Sequence, residues 1–203
     1  MGSSTMKKWQ QDLTHDIRSF TEHDDQDHPD GGLYCTWDEV TYCNYYGVDN
    51  KFHEMKGNAK AILEIGISRN GDRSITQAFL KAKLDSTIYV GIDIDDKTYL
   101  DNKEKNVFTI RNSSSDYEKN VELIKSFGVE KFDFIFIDGW HSINQVLDDW
   151  EYINLLADGG VVGLHDINHH PGPKDFIAAL DTNKWVVDKR CPDDWGVAFV
   201  WKK

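Results

Sequence analysis

One stretch, FDFIFIDGWHSINQVLDDWEYINLLADGGVVGLHDINHH at 132–170, holds four residues whose types and spacing suit metal and acid–base chemistry. Asp138 and His141 follow one short apolar run, Phe132 to Ile137, while His165 and Asp166 follow another, Gly160 to Leu164. Carboxylate oxygens are hard ligands that suit Mg2+, an ion that keeps several waters and needs only one or two carboxylates from a protein. Asn168 or His165 can supply a third ligand, and an imidazole in the set moves the preference towards Mn2+ or another transition metal. His141 stands three residues past Asp138, close enough to reach a metal-held hydroxyl from outside the coordination shell. An imidazole with its ordinary pKa of about 6.5 suits general-base work at neutral pH. The competing reading is that Asp138 and Asp166 cap helices and His141 is a surface residue at a helix start. Two separate apolar runs ending in the same kind of residue favour a site.

The elements that must position these residues alternate. Ala61 to Ile65, Ile88 to Ile92, Val107 to Ile110, Phe132 to Ile137 and Val161 to Leu164 are short apolar runs that read as strands. Ser74 to Lys83, Tyr117 to Phe127 and Ile143 to Leu156 carry apolar residues at three- and four-residue spacing and read as helices, and Asp95 to Asn106 has room for a short one. Strands alternating with helices predict a doubly wound α/β sheet, mostly parallel and covered on both faces. At the end, Pro173 to Leu180 reads as a helix, and Trp185 to Val187 with Val197 to Trp201 as a closing antiparallel pair, for a seven-stranded sheet in all. In such a sheet ligands bind beyond the carboxyl ends of the strands, where both polar clusters would meet. Residues 1–58 are polar and rich in His, Asp and aromatics, with helices expected at Lys7 to Phe20 and Trp37 to Tyr46 around the loop EHDDQDHPDGG. They read as a lid or oligomer contact on a catalytic domain at 59–203. The opening MGSST resembles an expression remnant and carries no functional weight.

Bulk properties exclude several function classes. With 35 acidic against 23 basic residues and a formal charge of −12, the chain has no general attraction for phosphate backbones or anionic membranes, so nucleic acid and membrane are not expected partners. No apolar run approaches the roughly 20 residues of a membrane span. Three cysteines without metal-ligand spacing, and no signal-peptide pattern, make a reducing, cytoplasmic location the expectation.

A second half-site is visible nearer the start of the sheet. The first strand runs into EIGISRNGDRS at 64–74, where Gly66 and Gly71 allow a tight turn or close backbone approach before a helix, with Ser68 and Ser74 beside them. The loop lacks the GxGxxG pattern, and by itself reads equally well as a plain strand-to-helix turn. The next strand ends in YVGIDIDD, so Asp93 and Asp95 occupy the place where an acidic side chain accepts hydrogen bonds from a ribose. An adenosine-type cofactor fits that geometry. After the third strand, RNSSSD at 111–116 offers Asn112 and Ser113 to face an adenine, with a helix N-cap at Ser114 or Ser115 as the alternative.

With EIG at 64–66, GID at 91–93, FIDGWH at 136–141 and GGVVGLHD at 159–166, the chain resembles the class I S-adenosylmethionine-dependent methyltransferases. Within them it is similar to a branch of small metal-dependent O-methyltransferases, the macrocin-type sugar enzymes, which shares motifs with the cephalosporin-hydroxylase-like proteins and more distantly with catechol O-methyltransferase. The resemblance covers about residues 59–201. It implies a Rossmann-like methyltransferase fold and methyl transfer from S-adenosylmethionine to a hydroxyl of a sugar, diol or phenol, assisted by Mg2+ or Mn2+. It places Glu64 and Gly66 by the methionine part of the cofactor, Asp93 on its ribose, Asp138 and Asp166 on the metal, and His141 as the base. Two departures stand out: the loop ISRNGD is one or two residues longer than usual, and His165 replaces a glutamate. A hydroxylase-like relative, a nicotinamide-dependent oxidoreductase and a non-catalytic binding protein on the same fold are the competing expectations.

The remaining candidates read as structural. Trp140 is expected to pack over the cofactor or the neighbouring helix, Trp150 and Tyr152 to lie in the core or an interface, and His169 with His170 to belong to a mobile loop. The aromatics at Tyr42 to Tyr46 suggest a homo-oligomer contact, and HDDQDH at 23–28 a solvated loop.

Overall fold

The computed structural model describes residues 6–18, 59–67, 74–190 and 195–203. Its centre is a seven-stranded sheet of β1 (Ala61–Ile65), β2 (Ile88–Asp93), β3 (Val107–Arg111), β4 (Phe132–Ile137), β5 (Leu156–His165), β6 (Trp185–Arg190) and β7 (Val197–Lys202), in the spatial order β3-β2-β1-β4-β5-β7-β6. The first five strands pair in parallel, and β7 lies antiparallel to both β5 and β6. The strand order reverses between β1 and β4, the switch point at which open α/β sheets leave a crevice.

The strands exist because both faces of the sheet are covered, so their residues are apolar without alternation. On one face Leu63, Ile65, Val90, Ile135, Ile137 and Val162 join a core with Ile124, Val146, Leu147, Trp150 and Phe176. These come from α3 (Tyr117–Ser126), α4 (Ile143–Asp149) with its 3-10 continuation Trp150–Leu155, and α5 (Pro171–Ala179). The other face buries Ile62, Tyr89, Phe134, Phe136 and Phe199 against Ile75 and Phe79 of α2 (Ile75–Ala82). Ser74 and Ser142 start α2 and α4 by accepting the N–H groups of Gln77 and Gln145, each at 3.2 Å.

Several expectations need correction. The helix expected from Lys7 to Phe20 is only α1 (Lys8–Asp12); beyond it Leu13 is extended and bridges Leu180. Trp9, Leu13 and Ile17 are all buried in the main core, so their four-residue spacing reflects burial by a partly extended strap. This strap is well tied: Trp150 Nε1 donates to Asp12 Oδ2 at 3.0 Å, and Thr14 N to the Ala179 carbonyl at 2.8 Å. The insert after β2 forms two 3-10 turns, Thr98–Leu100 and Lys103–Lys105, and β5 begins five residues before the expected Val161. Ser114 and Ser115 do not cap α3, whose N-cap is Asp116. The expected helix at 37–46, the HDDQDH loop, and the cysteines and aromatics near 42–46 lie outside the described residues. No helix among the described residues is long and apolar enough to cross a membrane.

Candidate active site

The parallel ladder dictates which strand ends meet. Ile65 is in register with Ile92 on one side and Ile137 on the other, and Ile137 with Leu164. The residues that follow, Gly66, Asp93, Asp138 and His165, therefore line up along one edge. The ladder continues past the strands, with Gly66 N bonded to the Ile92 carbonyl at 2.9 Å and Asp138 N to that of Ile65 at 2.8 Å. Gly66 has no substitute here: its φ is +84°, and a Cβ would stand 2.1 Å from the Asp138 carbonyl oxygen.

Three of the expected metal-capable side chains converge. His165 Nδ1 lies 3.1 Å from Asp138 Oδ1 and 2.9 Å from Asp166 Oδ1. Both His165 ring nitrogens are buried and neither meets hydrogen-bond geometry, so Nδ1 faces the two carboxylates as an ion pair. Asp166 reaches the group from an unusual backbone, with φ +59°, the left-handed region that a non-glycine residue occupies only when its surroundings hold it there. Burial pushes the carboxyls of Asp138 and Asp166 up, but His165 and His141 beside them outweigh it and leave both below the usual carboxylate range. For His165, burial pushes down and the two carboxylates raise it, well above an ordinary imidazole. Neither aspartate caps a helix, since Ser142 and His170 hold the N-cap positions of α4 and α5.

His141 joins this cluster from the start of α4. Its Nε2 is 2.9 Å from Asp166 Oδ2 and 3.6 Å from Asp138 Oδ1. Its carbonyl accepts from Gly172 N at 3.0 Å, and a Cβ on Gly172 would stand 2.4 Å from that oxygen, so the start of α5 can approach only as glycine. Asn168 is placed differently: its N–H donates to the Trp195 carbonyl at 3.0 Å and its amide lies against the backbone of Gly196.

The cofactor candidates form a frame of mutually bonded groups. Glu64 is fully buried and faces inward, accepting from the hydroxyls of Thr76 at 2.8 Å and of Tyr89. Burial pushes its carboxyl up to about 8, against the pull of those two hydrogen bonds. These bonds tie the end of β1 to α2 through Thr76 and to β2 through Tyr89. Asp93 Oδ2 accepts from Ile67 N at 2.9 Å and Oδ1 from Asp95 N at 2.8 Å, with the buried Lys97 ammonium 3.8 Å away. Each carboxylate oxygen has two lone-pair directions, so capacity remains for a ribose. Asn112 Nδ2 donates to Asn120 Oδ1 at 2.9 Å, and Ser113 Oγ accepts from Ser115 N at 3.3 Å. Ser74 is the α2 cap, while Ser68 and Gly71 lie outside the described residues. Trp140, three residues past β4, is 57% exposed, and Ile94, directly after β2, is exposed as well.

Some residues of the site carried no sequence signal. Asn120, fully buried, also donates to Tyr152 Oη at 2.8 Å, which in turn donates to the Ser114 carbonyl at 2.8 Å. Gln145 Nε2 binds both Ser114 Oγ and Asp149 Oδ1 at 2.9 Å. Burial pushes Asp149 up to about 7. His170, expected in a mobile loop, is buried and stacked on His141 with centroids 4.3 Å apart.

The strand order, the glycine turn at the switch point and the polar crevice define a Rossmann-like methyltransferase fold. The family model described as a methyltransferase domain matches residues 43–167, more than half of the chain, and the chain belongs to that family. Solved structures share the fold. MycE methyltransferase of the mycinamycin biosynthetic pathway, in complex with Mg, SAH and mycinamycin VI, superposes with a TM-score of 0.55 at 19% identity, over 77% of this chain and 48% of that one. The chain thus spans about half the length of MycE. An O-methyltransferase from Bacillus cereus in complex with SAH gives 0.54 at 17% identity over 79% and 80% of the two chains. TomG from Streptomyces achromogenes, an O-methyltransferase of tomaymycin synthesis in complex with SAM, gives 0.54 at 15% identity over 79% and 79%. No curated protein sequence matches the chain.

Proposed function

We propose that this chain is an S-adenosylmethionine-dependent O-methyltransferase of the metal-assisted, macrocin-like branch, acting on a small molecule with two adjacent oxygens, a vicinal diol or catechol. The observation that carries the reading is the meeting of Asp138, His165 and Asp166 at the ends of β4 and β5, with both buried nitrogens of His165 lacking a hydrogen-bond partner. In a six-coordinate shell with ligands at about 2.1 Å, neighbouring ligand atoms lie about 3 Å apart. The spacings of 3.1 and 2.9 Å between His165 Nδ1 and the two carboxylates fit such a shell. Asp138, His165 and Asp166 would hold the ion, and the imidazole among them favours Mn2+ beside Mg2+. When bound, the divalent ion lowers the pKa of an alcohol and orients its oxygen, and S-adenosylmethionine supplies the methyl.

The chain's own residues then position and move a proton. The Asp93 carboxylate and the turn at Gly66 form the seat for the ribose and methionine parts of the cofactor, beside the ends of β4 and β5. His141 takes the acceptor's hydroxyl proton at Nε2, and Asp166 Oδ2 at 2.9 Å stabilises the resulting imidazolium. Ser142 and Gly172 fix the backbone on which that ring turns. Holding reactants in line accounts for much of the acceleration in a displacement of this kind. The chain's charge of −12 supports a small-molecule acceptor over nucleic acid.

The first test is calorimetric titration of the protein with S-adenosylhomocysteine, with and without Mn2+ or Mg2+. Micromolar binding is expected and opens a screen of diols, sugars and phenols for S-adenosylhomocysteine production. Absence of binding under every metal condition would move the assignment to a hydroxylase-like or non-catalytic relative.

A further inference from the structure

Asp166 stands between two imidazoles and divides its oxygens between them. Oδ1 is 2.9 Å from His165 Nδ1, and Oδ2 is 2.9 Å from His141 Nε2. His141 has a companion ring in His170, stacked at 4.3 Å and 23°. Ligand atoms of His141, Asp166 and His170 fall within 4.8 Å of one another, as do those of Asp138, His165 and Asp166. The two donor sets differ in chemistry: His141, His170 and Asp166 offer two imidazoles and one carboxylate oxygen, whereas Asp138, His165 and Asp166 offer two carboxylates and one imidazole.

We propose that His141, His170 and Asp166 Oδ2 form a second cation site, selective for a borderline ion such as Zn2+ and bridged by Asp166 to the harder site. It rests on the reading above through the shared aspartate and, for its effect on turnover, through His141 as the base. Imidazole-rich sets favour Zn2+ over Mg2+, and a tetrahedral shell with ligands at about 2.0–2.1 Å sets them about 3.3 Å apart. An imidazole lone pair lies in its ring plane, so to share an ion the two rings must turn out of their stack and bring ligand atoms now within 4.8 Å of one another to that spacing. The backbones are already tied: His170 N donates to the Asp166 carbonyl at 3.3 Å, and Gly172 N to the His141 carbonyl at 3.0 Å. Trp195 stacks with His170 at 5.5 Å and 16°, giving that ring a second aromatic support. Ions sharing a site in this way sit about 3.5–4 Å apart, a distance one carboxylate spans. Occupancy takes up the His141 nitrogen that receives the proton, so Zn2+ here inhibits transfer.

His170→Phe separates the roles, because it keeps a ring in the stack and removes the donor nitrogen. Zn2+ bound per full-length chain is measured by metal analysis after gel filtration, with Mn2+ binding followed in parallel by EPR. The variant should carry one Zn2+ fewer than wild type and bind Mn2+ unchanged. An equal Zn2+ count in the two proteins would overturn the site. Loss of one Zn2+ in H170F, with no Mn2+ bound by wild type, would remove the harder site and leave this one standing. Should H170F not fold, histidine C–H NMR signals of wild type decide the matter: Zn2+ must shift those of His141 and His170 together, and movement of neither overturns the proposal.

Discussion

The two ends of the crevice treat polar side chains in opposite ways. At the β1–β3 end they are spent on one another: Glu64 on Thr76 and Tyr89, Asp93 on the N–H groups of Ile67 and Asp95, Asn112 on Asn120. At the β4–β5 end, His165 Nδ1 lies 3.1 Å from Asp138 Oδ1 and 2.9 Å from Asp166 Oδ1, without hydrogen-bond geometry at either His165 nitrogen. Buried polar groups are normally satisfied, and the exceptions call for an explanation. The first arrangement is a finished frame on which a ligand can rest. The second is a set of donors that a cation would complete.

That contrast can be broken by exchanging the losses. Asp138→Ala should give the largest effect, since a metal's charge stabilisation of several kcal/mol corresponds to about a thousandfold in turnover. S-adenosylhomocysteine affinity, measured by calorimetry, should stay near wild type. His141→Ala should lower turnover by about a hundredfold with little change in binding, and a pH–rate profile equal to that of wild type from pH 6 to 9 would remove it as the base. Asp93→Ala should reverse the pattern, weakening S-adenosylhomocysteine by about tenfold or more through its lost charged hydrogen bonds while Mn2+ binding persists. Equal loss of cofactor and metal in both aspartate variants would erase the division into two ends.

The smallest expected effect sharpens the idea of a finished frame. Glu64 is lifted by burial from its ordinary 4.5 to about 8, so the folded chain holds a proton that the unfolded chain has released. Its contribution to stability is complete below about 4.5 and is lost as pH rises towards about 8. Glu64→Gln, which keeps the shape without the titration, should flatten that part of the curve of melting temperature against pH. A curve with the slope of wild type would mean that another group titrates there.

What was legible in the sequence follows from how local each cause is. β1 and β4 were readable to the residue, because their apolar runs stop at Gly66 and Asp138, where the chain must turn to solvent. The early start of β5 was hidden by Asp158, Gly159 and Gly160, which look like a turn and instead enter the sheet beside a register shift at Phe132/Phe134. The pairing of Asp138 with His165 and Asp166 was readable from strand ends alone. The burial of His170 was not, because it depends on contacts with Trp195 and His141, both distant along the chain from a stretch that reads as an ordinary Pro-Gly loop. The hydrogen-bond partners of Glu64 were hidden for a similar reason: Thr76 and Tyr89 lie on different elements.

The strap at 6–18 carries a lesson about where a domain ends. The stretch shared with the family begins at residue 43 and stops at 167, yet Trp9, Leu13 and Ile17 sit in the same core as Trp150, Phe176 and Trp185. The stretch that matches the family model and the folding unit therefore have different borders. Anyone trimming the chain to residues 43–167 for crystallisation, fusion or grafting would strip one wall from the hydrophobic interior and leave Trp150 without the carboxylate that receives its indole N–H.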